Sequence, residues 1–104
     1  MNRLQELLVI LAEECAEVSQ AASKCVRFGM DSKYQDVSNR ARLEQELGDF
    51  MAMFKLILEE SNLSDERIME CAEAKLIKVE QYMTNGKNST PTMKRKPRKN
   101  KRKS

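Results

Sequence analysis

The 104-residue sequence predicts an all-α fold: a small helical bundle of three main helices plus a loop or short helix, completed into a four-helix-type core by oligomerisation. Three observations lead there. With only 3 Gly, 2 Pro and no Trp, 5% aromatic and 34% charged residues, the chain is poor material for a β-sandwich or a Gly-rich nucleotide fold. Apolar residues recur at helical spacing over three stretches. At 12.0 kDa the chain holds one modest core. The helical domain covers residues 1–85, and residues 86–104 form a linker and a basic tail, expected to be disordered.

The first helix is expected from Arg3 to Phe28. Leu4, Leu8, Leu11, Cys15, Val18, Ala22 and Cys25 step by four and three along one face, Asn2 is a suitable N-cap, and Gly29 ends the run. Met30 to Asn39 carries Asp31, Ser32, Asp36, Ser38 and Asn39, the chemistry of turns and caps, and reads as a loop with room for one helical turn. A second helix is expected from about Arg40 to Glu60, with Leu43, Leu47, Phe50, Phe54, Ile57 and Leu58 on one face. Ser61-Asn62-Leu63-Ser64 breaks it. Ser64 caps a third helix whose first turn carries Asp65 and Glu66, whose face is Ile68, Ala72, Leu76, Val79 and Met83, and which Asn85-Gly86 stops. Three such helices make a thin core. Met53 and Leu56 point away from the Phe50/Phe54 stripe, so the second helix is apolar on two sides, and a homodimer or homotetramer follows as the expectation.

Residues 94–104 contain eight Lys or Arg and no acid, which leaves 11 basic and 16 acidic residues over 1–93: a body of −5 beside a tail of +8. With no His, the chain cannot supply a Ser/His/Asp triad, a Cys/His pair or a His-containing zinc site. Catalysis, if present, rests on carboxylates, lysines, cysteines or a bound cation. Cys15, Cys25 and Cys71 are odd in number and sit among apolar helical neighbours, which points to a reducing cytoplasm rather than a disulfide framework. No signal pattern opens the chain, and the longest apolar run, Leu7 to Ala12, is too short to span a bilayer, so no membrane is expected. Asn88-Ser89-Thr90 matches a glycosylation acceptor pattern within the polar linker, without a secretory route to use it.

Two acidic pairs stand out, Glu14 with Glu17 and Glu46 with Asp49, each at i, i+3 spacing and each to one side of its helix's apolar stripe. If the first two helices pack antiparallel, both pairs fall at the core edge and can face one another. Four gathered carboxylates repel unless a cation neutralises them. Oxygen donors alone suit Mg²⁺ or Mn²⁺, and such an ion activates water and polarises phosphate. Acid pairs at this spacing are no commoner here than composition gives, so angle and composition by themselves favour solvated helix faces over a metal site.

Glu13-Glu14-Cys15-Ala16-Glu17, then 28 residues, then Glu46-Leu47-Gly48-Asp49, resembles the E-E-x-x-E … E-x-x-D signature of the MazG-like, all-α nucleoside triphosphate pyrophosphohydrolases. Leu11-Ala12, Val18 and the Leu-Gly-Asp-Phe phrase around the second motif are similar to the family's wording, and the likeness covers about residues 4–83. The resemblance implies a helical homodimer or homotetramer that uses Mg²⁺ to hydrolyse a (deoxy)nucleoside triphosphate to the monophosphate and pyrophosphate. It makes Glu14, Glu17, Glu46 and Asp49 metal ligands. Glu13, the first acid of the motif, becomes the candidate catalytic residue, orienting a ligand or a water. The family often carries Lys then Asn on the third helix near the phosphates; here Lys75 matches and the Asn does not, so Lys75 and Lys78 are candidate phosphate contacts, with exposed helix lysines pairing with acids such as Glu70 or Glu73 as the other reading. Lys24 and Arg27 are further candidates.

The tail from Lys94 to Lys103 suits non-specific, salt-dependent contact with nucleic acid and has no aromatic residue for base stacking. It supports an alternative to the hydrolase: a non-enzymatic helical adaptor or nucleic-acid-associated protein in which the acids are surface charge.

Overall fold

A computed structural model describes residues 1–83, which form α1 (Arg3–Phe28), β1 (Lys33–Tyr34), β2 (Val37–Ser38), α2 (Asn39–Glu60) and α3 (Asp65–Tyr82). The all-α class and the three helices are as the periodicity predicts. The Asn85-Gly86 stop, the Asn88 acceptor pattern, the linker and the basic tail lie outside the described residues. The chain divides into two compact units, Met1–Ser64 and the part from Asp65 onward.

Local chemistry fixes the ends of α1. The Asn2 side chain accepts from the Gln5 backbone N–H at 2.8 Å, and the Gln5 side chain accepts from the Asn2 N–H at 2.8 Å, a reciprocal capping box that satisfies two free donors. At the other end Gly29, with φ 99° and ψ 150°, donates its N–H to the Cys25 carbonyl at 3.0 Å. That backbone conformation is open to glycine and strained for any other residue.

Between Gly29 and α2 the chain forms a minimal antiparallel hairpin, with Lys33 opposite Ser38 and Tyr34 opposite Val37, where the sequence suggested a loop or a helical turn. Gln35 and Asp36 make the turn with φ 53° and 65°. Positive φ at both central positions belongs to a type I′ turn, which usually declares itself through Asn-Gly or Asp-Gly. Gln-Asp carries no such signal. Ser38 then caps α2, its hydroxyl accepting from the Ala41 N–H at 3.0 Å.

In the first unit α1 and α2 pack antiparallel. At one end Arg3 makes a two-pronged pair with Glu60, Nη2 to Oε2 at 2.8 Å; at the other the buried Asn39 amide donates to the carbonyls of Gly29 (2.9 Å) and Lys24 (3.4 Å). The buried seam of α1 is rotated from the predicted stripe. It runs through Leu4, Leu7, Leu11, Glu14, Val18, Ala21 and Cys25, with Leu7 and Ala21 fully buried, while Leu8 is 43% exposed and Cys15 and Ala22 face out. On α2 the seam runs through Asn39, Leu43, Glu46, Phe50, Met53 and Ile57. Met53 and Leu56 are half-buried rather than outward; the large exposed apolar residues on that helix are Met51 and Leu47, the latter expected on the buried face. The rings of Phe50 and Phe54 stack with centroids 6.3 Å apart.

In the second unit α3 buries no residue fully. Ile68 and Val79 are half-buried, whereas Ala72, Leu76 and Met83, predicted on the same face, are exposed.

Candidate metal centre

The rotated seams carry two acids into the packed surface. Glu14 takes the place between Leu11 and Val18 on α1, and Glu46 the place between Leu43 and Phe50 on α2, so the two helices turn these side chains toward each other. The sequence places both pairs at the edge of the core, and there Glu14 and Glu46 are half-buried while Glu17 and Asp49 are exposed.

Glu14, Glu46 and Asp49 each offer one carboxylate oxygen, and these atoms all lie within 4.8 Å of one another. Glu17 stands outside that group but abuts Glu46, on which it acts both as a charge and as a hydrogen-bond partner. Oε1 of Glu14 and Oε1 of Glu46 are buried and have no hydrogen-bond partner. A buried carboxylate oxygen left without a donor is destabilising, and several together more so. Ionisation responds accordingly. Burial pushes the Glu14 carboxyl above its ordinary range, with the charges of Asp49, Glu17 and Glu13 adding to it. Burial likewise raises Glu46, followed by the charges of Glu17, Asp49 and Glu14 and the hydrogen bond with Glu17.

Such a group reaches a stable state by holding protons or by holding a cation. Its donors are oxygen only, converge from two rigid helices and keep unsatisfied lone pairs, which fits a hard divalent ion that retains some of its water. Glu13 is exposed and acts on Glu14 as the weakest of its neighbouring charges, outside the three-oxygen group.

Beside the acids lies a cleft of about 340 Å³, with Glu17 and Glu46 on its wall, Lys24 and Arg42 as its cations, and buried Ala21 and Asn39 among its lining. Arg42 precedes Glu46 by one helical turn, yet it is drawn to the hairpin: its Nη2 donates to the Tyr34 carbonyl at 2.8 Å and its guanidinium lies 5.8 Å over the Tyr34 ring. Its Nε is buried without a partner. A carboxylate group and two cations on one cleft match the charge pattern of a cation bound to a phosphate chain. The sequence reading passed over Arg42, because an Arg four residues before a Glu looks like a surface helix pair; its position beside the motif was the available signal.

Of the other candidates, Lys24 lines the cleft and Arg27 lies over the Phe28 ring at 4.8 Å. Lys75 and Lys78 are exposed on α3, in the second unit. No described helix is long and apolar enough to cross a membrane. Compared with known proteins, the chain matches no family model, no curated protein and no solved structure.

Proposed function

We propose that the protein is a Mg²⁺-dependent nucleoside triphosphate pyrophosphohydrolase of the MazG-like kind, Mn²⁺ being an alternative ion, acting as a homodimer or homotetramer. The observation that carries this reading is the convergence of Glu14, Glu46 and Asp49, with two buried carboxylate oxygens that no hydrogen bond satisfies among the described residues. The acidic motifs supply the reaction class, by resemblance.

In this reading Glu14, Glu46 and Asp49 hold the cation, and Glu17, against Glu46, completes the ligand set. The cation, when bound, supplies a water acidic enough to attack at neutral pH and polarises the phosphate under attack. The remaining work belongs to the chain. Lys24 and Arg42 bind the phosphate oxygens in the cleft, and the Tyr34 carbonyl holds the Arg42 guanidinium in place. Glu13, on the outer side of the motif, orients a ligand or a water.

The variant Glu46→Gln tests the assignment. It keeps shape and removes charge, so Mg²⁺-dependent release of pyrophosphate from nucleoside triphosphates should fall by at least about a hundredfold with unchanged helicity by circular dichroism. Activity equal to that of the wild type would overturn the assignment.

A further inference from the structure

One end of the first unit differs in character from the rest of the body. Between Lys24 and Arg42 the chain carries five basic residues against two acids, Asp31 and Asp36, and Asp31 is engaged by Arg40 at 3.1 Å. The other residues of 1–93 carry six basic residues against 14 acids. This cationic stretch also presents two outward aromatic rings, Phe28 (59% exposed) and Tyr34 (65% exposed), each with an arginine guanidinium over it, Arg27 at 4.8 Å and Arg42 at 5.8 Å. The segments are held together: the Asn39 amide bonds Lys24 and Gly29, the Asn39 N–H donates to the Ser32 carbonyl at 2.9 Å, and the Arg40 N–H to that of Met30 at 2.8 Å. Both rings therefore stand at the end where α1 meets α2.

We propose that this end, formed by the last turn of α1, the hairpin and the first turn of α2, is a binding surface for single-stranded nucleic acid. Stacked bases need exposed flat rings, and the phosphates between them need cations at close range; this surface interleaves the two. A folded protein partner fits less well, because the centre of a protein interface is depleted of charge and here each exposed ring has a guanidinium beside it. Duplex nucleic acid keeps its base faces stacked internally and cannot use the rings. The recognition is tolerant of base sequence, since every base has a π-face. The inference uses none of the carboxylates of the metal centre, though it shares Lys24 and Arg42 with the neighbouring cleft, and it does not use the basic tail, which has cations but no aromatic residue.

The test uses the full chain in EDTA, so that no hydrolysis enters, with binding of a labelled oligothymidine followed by fluorescence anisotropy. Phe28→Leu and Tyr34→Leu keep apolar bulk and remove the flat ring. Each should weaken oligothymidine binding roughly tenfold and the pair by more, while for Phe28→Leu the binding of inorganic polyphosphate, which has charge and no bases, stays at the wild-type level. Tyr34→Trp should restore or strengthen the oligothymidine affinity. In a Tyr82→Phe background, Tyr34 fluorescence should be quenched by the oligonucleotide and not by polyphosphate. Leu variants that bind oligothymidine as the wild type does, or a Phe28→Leu variant that loses both ligands equally, would overturn the proposal, as would variants that change only the oligomeric mass.

Discussion

Glu14 and Glu46 occupy helix positions that the packing of α1 on α2 would otherwise fill with Leu or Ala, and each leaves a buried oxygen without a donor. Because both carboxyls titrate above their ordinary range, the folded protein holds protons there more tightly than the unfolded chain. The sign follows from linkage: the stability these two carboxyls contribute to the metal-free protein is fully present below the ordinary carboxylate range and is lost as pH rises through the raised values, whereas Glu60, held low by Arg3, contributes in the opposite direction. Glu46→Gln should therefore raise the melting temperature of the EDTA-treated protein by several degrees at pH 7.5, with the gain shrinking toward pH 4.5, and should abolish the stabilisation that Mg²⁺ or Mn²⁺ gives the wild type. Thermal melts across that range check both parts. Asn39 is the opposite case, a buried polar group whose amide is satisfied by two carbonyls; Asn39→Ala should cost about 1–3 kcal/mol in urea unfolding by leaving those carbonyls unpaired. The acidic pairs stood out in the sequence through their resemblance to a family's motif, since composition alone accounts for their spacing. The burial of two of their members was not legible there, since periodicity counts an acid as a mark of the wet face.

The ends of α1 were readable because capping is local: Asn2 with Gln5, and Gly29 at a φ suited to glycine, are decided by residues a few positions apart. The hairpin was unreadable for the converse reason, because its turn places Gln35 and Asp36 at positive φ without the residues that prefer it. Replacing Gln35-Asp36 by Asn-Gly should stabilise the protein by about 0.5–1 kcal/mol, measured as a shift in denaturation midpoint; destabilisation would mean that the wild-type turn side chains make contacts that outweigh backbone preference. The rotation of the α1 seam belongs to this scale too. Leu4, Leu11, Val18 and Cys25 belong to both stripes, and only the packing against α2 selects Leu7, Glu14 and Ala21 over Leu8, Cys15 and Ala22 to complete the seam.

For the molecule as a whole, Leu8, Leu47 and Met51 in the first unit and Leu76 and Ile77 in the second are apolar and exposed in the single chain. Surfaces of this kind are the ones a helical oligomer covers. Light scattering should give a mass two or four times the 12.0 kDa of one chain, and Met51→Glu should lower it; a monomer at all concentrations would remove oligomerisation from the account. The three-helix content was legible in the sequence, whereas the division at Ser64 and Asp65 was not, because Ser61-Asn62-Leu63-Ser64 reads only as a break between helices. The most direct test of the central claim is phosphorus NMR of each common NTP and dNTP incubated with the pure protein, with Mg²⁺ or with EDTA. The account predicts monophosphate and pyrophosphate from at least one nucleotide with Mg²⁺ and no turnover in EDTA. Diphosphate and orthophosphate as products, or no cleavage of any nucleotide with Mg²⁺ or Mn²⁺, would contradict it.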